Sequence, residues 1–217
     1  MKKRKISICF VLLLVCCIAL HSPATACSSL PYQLDTINLL NLTATVYGTQ
    51  TNLTNDIGVN FANAVSAGVL QWNYTGQQYI NVNFTNVTYT TGHHTVYFLF
   101  GDYGEGYQGG CMVYNSNGER VNEPIPGSEV LYPNPTSDWS YAIIRIHTDD
   151  DDIANGTADR IKAVATHEVG HALGLGHCFE KTAHQSIMFH DVFEMLDYKS
   201  HSNPSDYDRV GLTLIYS

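Results

Sequence analysis

The sequence predicts an α+β domain built on one twisted mixed β-sheet. Several short segments alternate apolar and polar residues with a period of two, and others place apolar residues at helical spacing. In chain order they run strand, helix, several strands, helix, loop, helix, with no Pro- or Ser-rich linker and no internal repeat between them.

Leu42, Ala44 and Val46 alternate with polar or β-branched neighbours, as in a half-buried strand. Thr54-Asn55-Asp56 offers an N-cap for a long N-terminal helix. Ile57, Phe61, Ala64, Val65, Val69 and Trp72 follow at helical spacing, weakened but not overturned by Gly58 and Gly68. Ile80, Val82 and Phe84 alternate again. Residues 96–100 form a short β-rich apolar run, consistent with a central strand buried on both faces. Residues 101–110 are a glycine-rich loop, and 111–114 a short strand near a sheet edge. A loop with four prolines covers 115–138. Residues 141–148 make another strand, ending at the acidic run Asp149, Asp150, Asp151 and Asp152.

A helix then spans about 157–173, with Ile161, Ala165, Val169 and Ala172 on its core face and Gly174 as its stop. The last helix opens with Asn203 as cap, Pro204 at the first helical position and Asp206 three residues after the cap. It is expected to bury Tyr207, Val210 and Leu214.

The first residues read as a leader. Lys2, Lys3, Arg4 and Lys5 precede an apolar run over residues 6–20, about 15 residues, the length of a signal h-region and short for a membrane span. Pro23 and Ala24-Thr25-Ala26 supply a cleavage site. Residues 1–26 are therefore expected to be a signal peptide, 27–37 a short N-terminal segment and 38–217 the single domain of an exported, extracellular protein. An uncleaved anchor is the alternative; no second apolar run is long enough to cross a bilayer. Without the four leader cations, seven basic residues face 20 acidic ones, a net charge of −13. Neither nucleic acid nor an anionic membrane would attract such a surface, and a monomer is expected.

Three cysteines, Cys9, Cys16 and Cys17, lie in the leader; Cys27, Cys111 and Cys178 remain. An exported chain can keep a disulfide, and Cys111 with Cys178 is the favoured pair. Cys27 would then lie at the new N-terminus. A lipid anchor on Cys27 is the rival reading, although the triplet before it lacks the usual large apolar residue. Six Asn-x-Ser/Thr sequons, at Asn41, Asn52, Asn73, Asn83, Asn86 and Asn155, would carry glycans only in a eukaryotic source.

The chemistry concentrates in His167-Glu168-Val169-Gly170-His171-Ala172-Leu173-Gly174-Leu175-Gly176-His177. Two histidines four apart project from one helix face and can reach one ion at roughly 2.0–2.1 Å. Gly174 permits a left-handed turn that swings His177 back to the same ion. Three neutral nitrogens leave a fourth tetrahedral position for water, as a catalytic zinc requires. Glu168 is placed beside the metal without necessarily binding it, the position of a general base.

This stretch matches HExxHxxGxxH, and Ser186-Ile187-Met188 lies where a methionine turn follows it, so the chain resembles the metzincin zinc peptidases. The close spacing from His177 to Met188 and the C-terminal Asp206, Asp208, Gly211 and Tyr216 are similar to the matrixins, the group of the matrix metalloproteases. The resemblance implies a metzincin-like single domain with a zinc-binding active-site helix. It also implies one catalytic zinc on His167, His171 and His177, Met188 as an apolar floor beneath them, and a protein or peptide substrate lying along an edge strand near residues 110–114. Residues 189–203 would wall the pocket just past the cut. The chain departs from the group in lacking a cysteine-bearing inhibitory prodomain motif and a hemopexin-like domain, as in a microbial member. His147 and the aspartates after it look like the strand that supplies a structural zinc ligand and a calcium site. His93 and His94 lie too early to complete that zinc set, so a second zinc is expected to be absent. Calcium at Asp149, Asp150, Asp151 and Asp152 competes with a plain solvated charge run. His190 stands where some metzincins carry a metal-binding tyrosine, so no fifth protein ligand is expected; His184 and His201 read as surface residues. The rival function is a secreted binding or adhesion module that kept the metal as scaffold.

Overall fold

A computed structural model describes residues 43–46, 50–74, 83–84, 95–104, 108–124, 131–133, 140–178, 185–199 and 202–216. The leader, the 27–37 segment, Cys27, Leu42, Ile80, Val82, His93, His94, His184 and His201 lie outside these described residues.

The strands are β1 (Thr43–Val46), β2 (Asn83–Phe84), β3 (Thr95–Gly101), β4 (Gly109–Tyr114), β5 (Asn122–Pro124), β6 (Leu131–Pro133) and β7 (Tyr141–His147). The helices are α1 (Phe61–Leu70), the single turn α2 (Asp151–Ala154), α3 (Ala158–Ala172), α4 (Val192–Lys199) and α5 (Asp206–Tyr216). One mixed sheet runs in the order β2-β1-β3-β7-β4, and β5 and β6 form a separate antiparallel pair. β1 pairs in parallel with β2 and β3, and β3 in parallel with β7. Only β4, at the edge, runs antiparallel, with Cys111 opposite Ile144 and Val113 opposite Ala142. β3 is central, which accounts for its continuous apolar run.

Period-two alternation places Val96, Phe98, Phe100, Ala142, Ile144, Ile146, Cys111 and Val113 in the core. α1 and α3 cover this face. Phe61 of α1 stacks on Phe100 of β3 with ring centroids 5.2 Å apart. α1 meets α3 closely because Gly68 lies at the crossing; a Cβ there would sit 2.6 Å from the Lys162 carbonyl oxygen. The Thr166 hydroxyl donates to the Gly68 carbonyl across the same crossing, at 3.2 Å.

Several boundaries differ from the sequence reading. α1 begins at Phe61 behind an Asn60 cap, not at residues 54–56. Gly58 takes φ +83, which no right-handed helix permits, and Ile57 is 57% exposed. Asn55 instead ties this turn to the α2 region, its amide donating to the carbonyls of Ile153 and Gly156. Trp72 falls in a 3₁₀ turn, Gln71–Tyr74, that continues α1. The last helix starts three residues after Asn203, because Ser205 and Asp208 close its first turn: Asp208 Oδ2 accepts the Ser205 N–H at 2.6 Å. Its buried face is Asp208, Gly211 and Leu212, while Val210 is exposed. α4, within the expected pocket wall, is capped by Asp191, whose Oδ1 accepts the N–H groups of Phe193 and Glu194. No helix among the described residues is long and apolar enough to cross a membrane.

Candidate metal centre

α3 carries the first two histidines. Its Thr157 cap accepts the Arg160 N–H, Asp159 lies in its first turn, and almost every side chain from Ile161 to Ala172 is buried. His167 and His171 are 6% and 4% exposed and one turn apart. Gly174, at φ +91, ends the helix: its N–H donates to the His171 carbonyl and the Leu175 N–H to the Gly170 carbonyl, both at 2.9 Å. That left-handed turn returns the chain so that His177 faces the other two.

The three Nε2 atoms converge. They lie 3.1 Å apart for His167 and His171, 3.2 Å for His167 and His177, and 3.0 Å for His171 and His177. Four ligands held tetrahedrally at zinc–nitrogen distances of 2.0–2.1 Å stand about 3.3 Å from one another. The outer nitrogens fix the tautomers. His167 Nδ1 is 2.7 Å from the Ile187 carbonyl oxygen and His171 Nδ1 is 2.8 Å from that of Leu175. A carbonyl only accepts, so both Nδ1 atoms carry the proton and both Nε2 atoms present lone pairs to each other. Lone pairs at 3.1 Å repel unless a cation lies between them. Burial holds all three rings neutral: it lowers His167, with a smaller share from His190, and takes His171 well below its ordinary value. It brings His177 down to about 3, reinforced by His167 and His190. The donor set fits zinc, and it is the only group of three or more potential metal ligands among the described residues.

Glu168 is 6% exposed, and its Oε2 has no hydrogen-bond partner among the described residues. Burial raises its pKa to about 8. β4 begins directly above it: a Cβ on Gly109 would stand 2.8 Å from Val164 Cγ1 and 3.3 Å from Glu168 Cγ.

Met188 is fully buried, its sulfur packed against Gly170 of α3. A Cβ on Gly170 would overlap its sulfur and come within 2.9 Å of the Trp72 ring, so Met188 and Trp72 fill the space under α3 that Gly170 leaves. The Trp72 indole N–H donates to the Thr166 carbonyl at 2.9 Å. The turn carrying Met188 is held by Asp208, which the sequence reading placed only in a similar C-terminal helix. Its Oδ1 accepts the Ser186 hydroxyl at 2.5 Å and its Oδ2 the Ile187 N–H at 3.1 Å. Ser186 Oγ in turn accepts the Met188 N–H at 2.9 Å. The sequence did hold a signal for Asp208: Ser205-Asp206-Tyr207-Asp208 has capping-box spacing.

Two aspartates of the 149–152 run have protein partners. Asp150 caps α2, accepting the N–H groups of Asp152 and Ile153, and Asp152 pairs with Arg160 at 2.5 Å. Asp149, Asp151 and Asp152 are exposed, and none of the four joins a cluster of three potential ligands among the described residues. His190 is exposed and outside the triad.

The expected Cys111–Cys178 disulfide does not form. Cys111 is a buried thiol on the inner face of β4, its pKa pushed well up by burial and then by the charge of Glu168. Cys178 lies on the segment after His177, its Sγ 3.4 Å from Ser186 Oγ, and is in a disulfide with another cysteine. The alternation that turns Cys111 toward α3 commits it to the core beside Glu168.

Sheet, helix-borne histidine pair, third histidine beyond a glycine turn and methionine floor together define a metzincin-type zinc peptidase domain. The family model for matrixin matches residues 41–217, and the chain belongs to this family of zinc metallopeptidases. No curated protein matches it.

Proposed function

We propose that the chain is an exported zinc-dependent endopeptidase that cuts peptide bonds with Glu168 as general base. One observation carries the reading: three Nε2 atoms converge beside a buried carboxyl whose Oε2 is unclaimed among the described residues. Bound by His167, His171 and His177, zinc supplies Lewis acidity, lowering the pKa of water toward roughly 7 and polarising the substrate carbonyl.

The chain's own residues do the rest. Glu168 holds a desolvated oxygen ready to accept a proton from the attacking water and to deliver it to the leaving amine. Burial alone raises its pKa to about 8 in the metal-free chain, and a dication held beside it would favour the carboxylate that accepts the proton. The carbonyls of Ile187 and Leu175 orient the imidazoles.

β4 offers the peptide a template. The turn after Tyr114 doubles back, and Val121 donates to the Val113 carbonyl, so it occupies the far end of the strand's outer edge. Residues 109–112 are the part that lies over Glu168, where an extended substrate would add by main-chain hydrogen bonds. A binding module that kept the metal only as scaffold has no use for a buried carboxyl beside it. Export is supported by the leader-like residues 1–26 and the acidic remainder.

Cleavage of casein or gelatin by the purified mature protein tests the reading. A chelator should abolish it and zinc restore it. A protein that binds one zinc and cuts neither proteins nor peptides would leave the binding-module reading in its place.

A further inference from the structure

We infer that Cys178 is joined to Cys27, so that the N-terminal segment of the exported chain is tied to the loop carrying the third metal ligand. The partner assignment rests on the export reading. Cys178 is in a disulfide, whereas Cys111 keeps its thiol inside the core. The chain's other cysteines are Cys9, Cys16, Cys17 and Cys27. The first three belong to the leader, and cleavage after Ala26 removes them. Cys27 alone is left to pair with Cys178.

The anchor lies beside the site. Cys178 follows His177 directly and is 6% exposed. Its N–H donates to the Met188 carbonyl at 2.7 Å and its carbonyl accepts the His190 N–H at 3.3 Å, which binds it to the methionine turn on both sides. Reach does not limit the link. Cys27 stands 16 residues before Thr43, the start of β1. At about 3.3–3.6 Å per residue that is up to ~50 Å of chain. A domain of this size has a radius of gyration of only ~16 Å. The bond would close a loop of about 150 residues, which strongly restricts the unfolded chain.

Formation is ordinary thiol–disulfide exchange. The two thiols of Cys27 and Cys178 lose two protons and two electrons to the disulfide of an oxidoreductase or an oxidised low-molecular-weight thiol, which leaves as two thiols. An oxidising extracytoplasmic compartment supplies that oxidant. In the linked chain the segment after His177 is held by its hydrogen bonds to the methionine turn and by a covalent tie to the chain's start. The tie therefore resists loss of the third ligand.

Peptide mapping of the secreted mature protein without reduction tests this. The expected result is one cross-linked species joining the peptides of Cys27 and Cys178, with Cys111 alkylated only after denaturation. In Cys27→Ser, the Cys178 thiol should become alkylatable in the denatured, unreduced protein. The thermal midpoint should fall by about 5–15 °C, and zinc should pass to a chromogenic chelator several-fold faster. A Cys178 thiol in a correctly trimmed chain, a lipidated Cys27, or a Cys111–Cys178 link would overturn the tether while leaving the peptidase reading intact. A link from Cys178 to Cys9, Cys16 or Cys17 in a chain that retains its leader would overturn both the Cys27 assignment and leader cleavage. Unchanged zinc loss in Cys27→Ser would overturn the hold on the third ligand.

Discussion

The Asp208 carboxylate accepts the backbone N–H of Ile187 at 3.1 Å, while the Ile187 carbonyl receives the Nδ1–H of His167 at 2.7 Å. A residue of the C-terminal helix is thereby one peptide unit away from a metal ligand. Asp208 is fully buried and also accepts the Ser186 hydroxyl and the Ser205 N–H and hydroxyl. Asp208→Asn puts a donor where only donors point. It should weaken zinc binding about 10-fold or more and lower stability by about 2–3 kcal/mol. Zinc competition titration and denaturant unfolding measure both; a variant with native values in each would remove Asp208 from the support of His167.

Glu168→Gln keeps the size of the side chain and loses its proton-accepting oxygen. Zinc content should stay at one ion per chain while kcat falls by about 10²–10⁴, with KM little changed. Metal analysis paired with peptide hydrolysis checks this, and wild-type turnover in the variant would end the role given to Glu168.

Acid and base should both destabilise the metal-free protein. His167, His171 and His177 have depressed folded pKa values, so the unfolded chain binds their protons first. Their contribution is complete above the unfolded value of 6.5 and is lost as pH falls below it. Glu168 runs the other way: raised to about 8 from 4.5, it favours the folded state at low pH and loses that advantage as pH rises through 8. Between pH 4.5 and 6.5 the depressed histidines outweigh the one raised carboxyl, so stability should rise with pH. From 6.5 to about 8 it should decline by about 1.4 kcal/mol per unit, and beyond that Glu168 adds no further slope. Thermal midpoints in chelator across pH 5–9 should therefore peak near 6.5. A midpoint still climbing above pH 7.5 would show that Glu168 is ionised without metal.

Gly170→Ala improves helix propensity by about 1 kcal/mol. The added methyl overlaps Met188 and crowds Trp72, so the net change should be a loss of about 1–3 kcal/mol together with weaker zinc binding. Stabilisation, read by denaturant melts, would mean that the floor under α3 gives way at little cost.

The parts of the fold legible in the sequence are those set by periodic burial. The central apolar run of β3, the edge position of β4 and the span of α3 with its Thr157 cap and Gly174 stop all follow local rules. The three histidines were legible because helix pitch and one glycine turn bring them together without distant help. Local patterns misled where tertiary partners decide. Ile57 has helical spacing from Phe61, yet Asn55 is engaged with α2 and Gly58 turns left-handed, so no helix forms there. Val210 fits an apolar stripe, but α5 buries Asp208 on another face because the methionine turn needs an acceptor. The cysteine pairing failed for the same reason: sequence counts thiols, while strand phase decides which of them faces the core.

The indole of Trp72, fully buried and bonded to the carbonyl just ahead of His167, gives the catalytic helix an optical reporter on its hidden side. Any ligand or solvent event that shifts the pitch of α3 between Thr166 and Gly170 alters the polarity felt by that ring, and with it the colour of its emission. With Trp139, the chain's other tryptophan, replaced by Phe, metal loading and loosening of the domain should be readable from the protein's own fluorescence, with no label added.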